Sequence, residues 1–435
     1  MNTLIFNKIK KAYFIGIGGI GMSALAQLFK HNGIVVTGSD RESSPVTNLL
    51  EQKGIVVTFG QRIDDVQKDV DVIVYSDAIE DAEPDFMNSV RALGVPTRSY
   101  FQMLGAVSAE KRTFAVAGTH GKTTTTGMLA KILIDAGESP TVVVGSIVKD
   151  FGSNYVAGES NNFVVEACEY HNHLLEFSPE VLVINNLEWD HTDFFPTLSD
   201  LQETFRKAIL KVPAHGVIVT DIKNPNIAPL LSSIEVSRVI DYTKEPEYDL
   251  LLPGEFNQMN ARAASAAARI AIPNITDEAI ASSLKTFHGT WRRFEYKGKT
   301  IQGADVYDDY AHHPTAIKKT IHALREKTTG KVFIAFHPHL FSRTRDLFED
   351  FANAFGEADK VFIAPIYSAR EKDDGTVSNE TLASRICENG VDAEALNFDE
   401  IKAEFLKAKQ GDAVMTMGAG DIYKVADNIV SNKYE

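Results

Sequence analysis

Cysteine is almost missing: Cys168 and Cys387 are the only two in 435 residues. Two thiols so far apart exclude a disulfide framework and a cysteine-built zinc module, and they suit a reducing cytosol. Long apolar runs are missing too. Nothing approaches the roughly 18 unbroken apolar residues of a membrane span. Positive charge is in short supply, with 44 Lys and Arg against 59 Asp and Glu and a net charge of −15. Without a long basic run, a nucleic-acid partner is disfavoured, while a small anion held by local backbone N–H groups remains compatible. Hydrophobic residues at 44% and charged residues at 24% place the chain among folded globular proteins rather than disordered ones. Its length corresponds to about three domains. The N-terminus imitates a secretory leader, with Lys8, Lys10 and Lys11 ahead of the apolar stretch from Tyr13 to Phe29. The glycines at 16, 18, 19 and 21 argue against that reading, because they weaken an apolar helix but serve a strand, turn and helix.

What the chain does have is Gly118-Thr119-His120-Gly121-Lys122-Thr123-Thr124-Thr125-Thr126, between a strand-like run (Thr113 to Ala117) and an apolar-periodic segment. The pattern predicts a strand, a phosphate-cradling turn and a helix. Glycines let the backbone turn tightly so that N–H groups point at an anion, and the helix adds its positive N-terminal end. Lys122 would reach the β- and γ-phosphates and the Thr123 hydroxyl a bound Mg²⁺. The strict P-loop spacing puts glycine at position 116, where this chain has Val116, so the loop is a shortened relative. Lys122→Ala is expected to abolish nucleotide turnover and leave the fold intact.

Nearer the N-terminus, residues 12–17 read as a buried strand, followed by Gly18-Gly19-Ile20-Gly21, a helix to Asn32-Gly33 and a strand at Ile34 to Thr37. Gly16-x-Gly18-x-x-Gly21 with Asp40 nineteen positions beyond has the outline of a dinucleotide fingerprint. Such a unit holds a diphosphate, whether of NAD or of a nucleotide sugar. Further strands and helices follow, at Asp71 to Ser76 and Pro84 to Leu93, up to a break near 106–111.

Downstream of the phosphate loop, strands are expected at Thr141 to Val144, Asn162 to Val165 and Val181 to Ile184. The last two run into Glu166-Ala-Cys168-Glu-Tyr-His171 and Asn185-Asn186-Leu-Glu-Trp-Asp190-His191. Both segments fall just past the C-terminal ends of strands, where open α/β sheets bind ligands. Carboxylate, imidazole, Thr hydroxyl and ATP oxygens would together suit Mg²⁺. Cys168 with His171 and His173 leaves open zinc or a Cys–His nucleophile. An Ala-rich helix extends to Ile270, and from about Lys297 the alternation resumes: a strand to Val306, a helix from Pro314, a strand Lys331 to Phe336 and a helix from Asp346. A strand at Lys360 to Pro365, a helix from Ser378, a strand Asp412 to Met417 and a last helix complete a second mostly parallel sheet. His312, His313 and His337-Pro-His339 again lie at strand ends.

With these residues on the page, the chain resembles the ATP-dependent Mur ligases of peptidoglycan synthesis over nearly its whole length. The resemblance rests on Gly16 to Ser23, Gly118 to Thr124, Glu166, Asn186-x-x-x-Asp190-His191, Asn257-x-x-Asn260 and Arg292-Arg293-Phe-Glu. It also rests on Asp308 to Pro314, Pro338-His339-x-x-Ser-Arg343-Thr-Arg345-Asp and Gly418-Ala-Gly420-Asp-Ile. It departs from the family at Cys168 and His171, where acidic residues are usual, at Phe256, where His is usual, and at Leu340, where Arg is common.

The resemblance implies three α/β domains: a Rossmann-like UDP-sugar domain (1–108), a central P-loop ATPase-type domain (109–295) and a Rossmann-like C-terminal domain (296–435). It implies ATP and Mg²⁺, and a reaction joining L-alanine to the lactyl carboxylate of UDP-N-acetylmuramate, with the tripeptide of cell-wall recycling as the alternative amine. Gly16, Gly18, Gly19, Gly21, Met22, Ser23 and Asp40 would bind the sugar nucleotide. Gly118, Thr119, His120, Gly121, Lys122, Thr123, Thr124, Asn257, Asn260, Arg293 and Asp309 would bind ATP. Thr123, Glu166 and His191 would hold metal, and Lys122, His191, Arg293 and Asn186 would act in catalysis, Asn186 by fixing His191 or the acyl group. His312, His313, Arg343 and Arg345 would meet the incoming amino acid. A cytoplasmic monomer or homodimer without a membrane span is expected. Two other classes remain in play: a nicotinamide-dependent oxidoreductase using the first fingerprint, and an ATPase that needs no acceptor.

Overall fold

The computed structural model describes residues 6–369, 371–373 and 375–430. Three sheets follow one another along the chain. The first is built from β1 (Lys11–Ile15), β2 (Val35–Asp40), β3 (Val56–Phe59), β4 (Val72–Tyr75) and β5 (Thr97–Ser99). All its pairings are parallel, in the order β3-β2-β1-β4-β5. Its helices are α1 (Ile20–His31), α2 (Pro45–Gln52), α3 (Asp77–Ala82), α4 (Pro84–Ala92) and α5 (Tyr100–Ser108). Tyr13, Phe14 and Ile15 of β1 are buried, as a strand covered on both faces requires. The order reverses beside β1, so the turn after β1 opens at the switch point where such sheets take ligands.

The second sheet contains β6 (Arg112–Ala117), β7 (Thr141–Val148), β8 (Ser153–Val156), β9 (Asn162–Glu166), β10 (Val181–Ile184), β11 (Val217–Thr220) and β12 (Val239–Asp241). Its order is β12-β11-β10-β6-β9-β7-β8, and its helices are α6 (Lys122–Asp135), α7 (Leu198–Lys211), α8 (Glu255–Ala271) and α9 (Asp277–Lys285). β6 sits centrally, parallel to β10 on one side and β9 on the other. The ends of three strands therefore adjoin: one carries the Lys122 loop, one Glu166, one Asn185 and Asn186.

The third sheet contains β13 (Glu295–Lys299), β14 (Asp305–Asp309), β15 (Val332–Phe336), β16 (Lys360–Ile363), β17 (Ala393–Ala395) and β18 (Ala413–Met417), in the order β13-β14-β18-β15-β16-β17. Its helices are α10 (Pro314–Lys327), α11 (Phe341–Asp346), α12 (Phe348–Ala352), α13 (Asn379–Glu388), α14 (Phe398–Phe405) and α15 (Tyr423–Ile429). Apolar residues cover both faces: Ile317, Phe336, Phe351 and Phe355 in one layer, Phe362, Phe405 and Val414 in the other.

The three-domain α/β expectation holds, with four local corrections. The strand expected from Lys297 to Val306 is a hairpin, β13 against β14, with a register shift between Tyr296 and Gly298; Gly303 at φ 88 allows the intervening turn. The strand expected to end at Val144 runs on to Val148 and pairs with β8, also antiparallel. The helix expected from Asp346 starts at Phe341. The break expected near 106–111 is narrower, because α5 continues to Ser108 and β6 begins at Arg112.

The residues gather into two compact units. One takes the described residues up to Glu188 with Ser199–Asp249 and Met259–Phe287; the other takes Trp189–Leu198, Leu250–Gln258 and the described residues from His288 on. The first unit thus holds the first two sheets, which share hydrogen bonds such as Asn154 Nδ2 donating to the Ile20 carbonyl at 2.6 Å.

Candidate functional site

In the first unit, β6 delivers the chain into a tight loop. Gly118 stands at φ 125 and Gly121 at φ 80, where a side chain is strained. A Cβ on Gly121 would lie 2.1 Å from Asn260 Oδ1, and one on Gly118 2.9 Å from the Asn186 carbonyl. Gly121 is the N-cap of the 14-residue α6, so loop N–H groups and the helix N-terminus share one place, the geometry that attracts phosphate. Val116 lies inside β6, opposite Val183 on one neighbour and Glu166 on the other. That position belongs to the strand, which is why the loop does without a glycine there.

The segment that follows β10 braces the loop. Asn186 takes both backbone groups of His120: Oδ1 accepts its N–H at 2.8 Å and Nδ2 donates to its carbonyl at 3.1 Å. Its amide therefore holds the phosphate loop. Asn185 Nδ2 donates to the His120 carbonyl and to Thr125 Oγ1. Thr119 Oγ1 exchanges hydrogen bonds with the Glu188 backbone, and the His120 ring meets the Glu188 carboxylate at 3.3 Å.

The Lys122 ammonium contacts both oxygens of Glu169 at 3.0 Å and the carbonyls of Gly118 and Thr119. Glu169 is fully buried. Burial alone would push the Lys122 pKa down; the carboxylates of Glu169 and Glu166 more than offset it and hold the pKa above the usual value. Thr123 Oγ1 donates to Glu166 Oε1 at 3.0 Å, and Glu166 Oε2 accepts the Gly145 N–H at 2.8 Å. Cys168, beside them, has its thiol pushed up to about 12 by burial and then by Glu169, so it is no thiolate nucleophile. His173 stacks on Phe101 and pairs with Asp77, a structural setting rather than a zinc ligand set.

The turn after β1 is also set by its neighbours. Asp40 Oδ2 accepts the Gly18 N–H at 2.7 Å, and a Cβ on Gly21 would strike the Tyr100 ring at 2.7 Å. Asp40 thus fixes the turn itself. Gly16 at φ 76 starts it, and the Gly19 N–H closes back on the Gly16 carbonyl. Met22 and Ser23 are buried in α1, and the Ser23 hydroxyl donates to the Ile20 carbonyl. Both side chains pack within the first unit.

The second unit has its own polar centre at the C-terminal ends of β14, β18 and β15. Arg343, on α11, is 3% exposed. Its Nε and Nη2 lie 3.0 and 2.9 Å from Asp190 Oδ1, and Nη1 lies 3.2 Å from His339 Nδ1. Burial would raise the Asp190 pKa, but Arg343 and the nearby imidazoles hold it well below the carboxylate range. His191, at φ 53, donates its N–H to the same oxygen at 2.7 Å, and its carbonyl accepts from both Phe194 and Phe195. Burial, and then Arg343, hold the His312 imidazole well below its usual pKa. Its Nδ1 faces the Tyr310 carbonyl at 2.9 Å, so Nδ1 carries the proton and Nε2 the lone pair. His313 differs: Nδ1 caps α10 at Thr315 N and Nε2 faces the Trp189 carbonyl. Both ring nitrogens lie within hydrogen-bonding distance of backbone groups. Arg345 points away from the buried pair, half-exposed and joined to Asp346.

Arg292 and Phe294, at φ 59 and φ 46, flank Arg293. Buried Arg292 bonds Asp308 and the carbonyls of Gly418 and Gly420, while Asp309 accepts the N–H groups of Phe294 and Ala311. This holds a strained turn that lays the Arg293 guanidinium over the Tyr310 ring at 4.9 Å. Asp309, expected at ATP, is buried in that turn. Asn257 Nδ2 donates to the Pro253 carbonyl, and Phe256 packs against the third sheet's core. The first unit thus brings together the loop, Glu166, Asn185, Asn186 and Asn260; the second brings together His191, His312 and Arg343, with Arg293 on its own turn.

Sequence reasoning passed over Glu169, Asn185 and Arg292, and gave Asp190 no role. Each stands beside a chosen residue, Glu169 as the other acid of its segment. A pairing partner inside a buried centre carries no pattern of its own.

A phosphate loop on a central parallel strand, with a carboxylate at the next strand end and further α/β sheets on either side in sequence, defines a nucleotide-binding α/β protein of the P-loop kind. Residues 11–112 match the catalytic domain of the Mur ligase family, residues 116–250 the Mur ligase middle domain and residues 292–420 the Mur ligase glutamate ligase domain. The chain is 38% identical to the UDP-N-acetylmuramate–L-alanine ligase of Clostridium novyi over 98% of each chain. It is 37% identical to the enzyme of that name from Acetivibrio thermocellus, covering 98% of this chain and 97% of the relative. The crystal structure of UDP-N-acetylmuramate-alanine ligase from Thermotoga maritima superimposes with a TM-score of 0.77 at 26% identity, covering 97% of this chain and 98% of that one. This chain belongs to the Mur ligase family.

Proposed function

We propose that this protein is an ATP-dependent ligase that joins L-alanine to the lactyl carboxylate of UDP-N-acetylmuramate, the first amino-acid addition to the peptidoglycan precursor. The observation that carries this reading is the collinear match of all three segments, with L-alanine ligases similar from end to end. We assign residues 1–108 to the sugar nucleotide, 109–295 to ATP and 296–435 to the amino acid.

Joining a carboxylate to an amine in water is uphill, so the lactyl carboxylate is activated as an acyl phosphate and the amine then displaces phosphate. Two anions about 4 Å apart repel by about 4 kcal/mol at an effective dielectric near 20. Lys122 and Arg293 offset part of that repulsion. The adjacent Thr123 hydroxyl and Glu166 carboxylate are hard oxygen donors of the kind that suit Mg²⁺, and would hold it. Bound there, the ion would supply further positive charge between the anions. Asn186 keeps the loop in shape, and Arg343 receives the acceptor carboxylate. His312, neutral with Nε2 as acceptor, positions the free amine that attacks the acyl phosphate by accepting one of its N–H hydrogen bonds. A cytoplasmic reaction agrees with two free cysteines and with the absence, among the described residues, of a helix long and apolar enough to cross a membrane.

The test is phosphate release from ATP with each substrate omitted in turn, and with L-alanine, glycine, L-serine and the tripeptide compared in parallel. Release is expected only with UDP-N-acetylmuramate and L-alanine together. Turnover without an acceptor would sink the ligase reading, and equal or faster turnover with the tripeptide would move the assignment to cell-wall recycling.

A further inference from the structure

Arg343 presents five N–H donors on a planar fork. Nε–H donates to Asp190 Oδ1, Nη2 lies 2.9 Å from the same oxygen as an ion-pair contact, and one Nη1–H is directed at His339 Nδ1. Among the described residues this leaves donors on both terminal nitrogens, and together these make the end-on fork whose spacing matches a carboxylate. Without Asp190 the guanidinium could turn its Nε edge to an incoming anion, or pair with any acid in reach. Asp190 Oδ1 also accepts the His191 N–H and so helps hold that residue at φ 53, a conformation a non-glycine residue keeps only under restraint. One buried oxygen therefore fixes two neighbours at once.

We propose that Asp190 is a positioning residue: it orients Arg343 so that its end-on fork receives the carboxylate of L-alanine, and ties that orientation to the backbone of His191. The proposal rests on the reading of Arg343 given above. Asp190 touches no substrate and acts through its partners.

The test compares Asp190→Asn, Asp190→Ala, Arg343→Ala and the Asp190→Asn/Arg343→Ala double variant. KM and kcat are measured for each substrate, and L-alanine binding is measured by calorimetry with UDP-N-acetylmuramate and a non-hydrolysable ATP analogue present. Asp190→Asn keeps the size of the side chain and an acceptor oxygen but removes the charge. L-alanine binding is expected to weaken by at least about tenfold, since a buried charge loses its partner, while KM for UDP-N-acetylmuramate stays within about twofold of wild type. In the Arg343→Ala background the same change should have little further effect on L-alanine, because Asp190 then has nothing to orient. Asp190→Ala, which also releases His191, should lower kcat further than Asp190→Asn. If Asp190→Asn melts as the wild type and binds L-alanine with unchanged or higher affinity, while Arg343→Ala binds it weakly, the proposal is wrong and the Arg343 reading stands. If Arg343→Ala itself binds L-alanine normally, the Arg343 reading is wrong and the proposal falls with it. A uniform loss of active protein at unchanged KM values would reduce Asp190 to a folding role.

Discussion

Replacing Lys122 by alanine tests the phosphate loop and the burial around it together. The ammonium is mostly buried and meets both oxygens of Glu169 at 3.0 Å, and the Glu169 side chain is 1% exposed. Removing the cation strands a carboxylate in the interior, and breaking a buried pair in this way costs about 3–5 kcal/mol. Native stabilities are only about 5–15 kcal/mol, so Lys122→Ala should lose a large share of its stability along with its turnover. The fold-neutral outcome expected from the loop motif alone leaves Glu169 out. Lys122→Met with Glu169→Gln removes both charges and keeps the volumes, and should return to within about 1 kcal/mol of wild-type stability without regaining activity. Urea denaturation and ATP-dependent phosphate release supply the readouts. A wild-type urea midpoint for Lys122→Ala, or turnover in the double variant, would refute the argument.

Gly121→Ala places a methyl group 2.1 Å from Asn260 Oδ1 at φ 80; backbone strain of about 1–2 kcal/mol and a displaced Asn260 should raise KM for ATP by about tenfold, with KM for L-alanine as the control. His337 is buried, and burial lowers its pKa to about 4. Between pH 6.5 and 4 the unfolded chain therefore binds the proton that the folded one refuses, and up to about 3 kcal/mol of stability is lost as pH falls; thermal melts of His337→Gln should show a flatter acid limb. Arg345→Ala removes a half-exposed pair with Asp346 worth less than about 1 kcal/mol, so KM for L-alanine should stay within about twofold, and a tenfold rise would restore Arg345 to the acceptor site.

The architecture was legible where side chains obey a period. Val181 to Ile184 reads as a buried strand because all four residues are covered, and Ser378 announces α13 because its hydroxyl caps Thr381 N. The hairpin at Glu295–Asp309 was not legible: one long strand and two short ones differ only by a turn at 300–304 whose one glycine is Gly303, and that turn is fixed by Thr300 and Ala304 pairing in space. The phosphate loop could be read because its chemistry demands glycine, lysine and threonine at fixed positions. The acceptor residues could be read only as neighbours in sequence, which put Arg343 with Arg345 and His312 with His313.

Within each of those pairs the structure chooses one member, and the choice follows from where the helix begins. α11 starts at Phe341 and α10 at Pro314. Two residues apart on α11, Arg343 and Arg345 project about 200° apart at 3.6 residues per turn, so only one can turn inward to Asp190. At α10, His313 sits at the N-cap and its ring is drawn onto Thr315 N, which leaves His312, one residue earlier, with its Nε2 lone pair. A boundary of α10 moved by one residue would exchange the two histidines, and a shift of two residues along α11 the two arginines. Boundaries are the part of a sequence reading with the least physical signal, and here they decide which arginine meets Asp190 and which histidine caps α10.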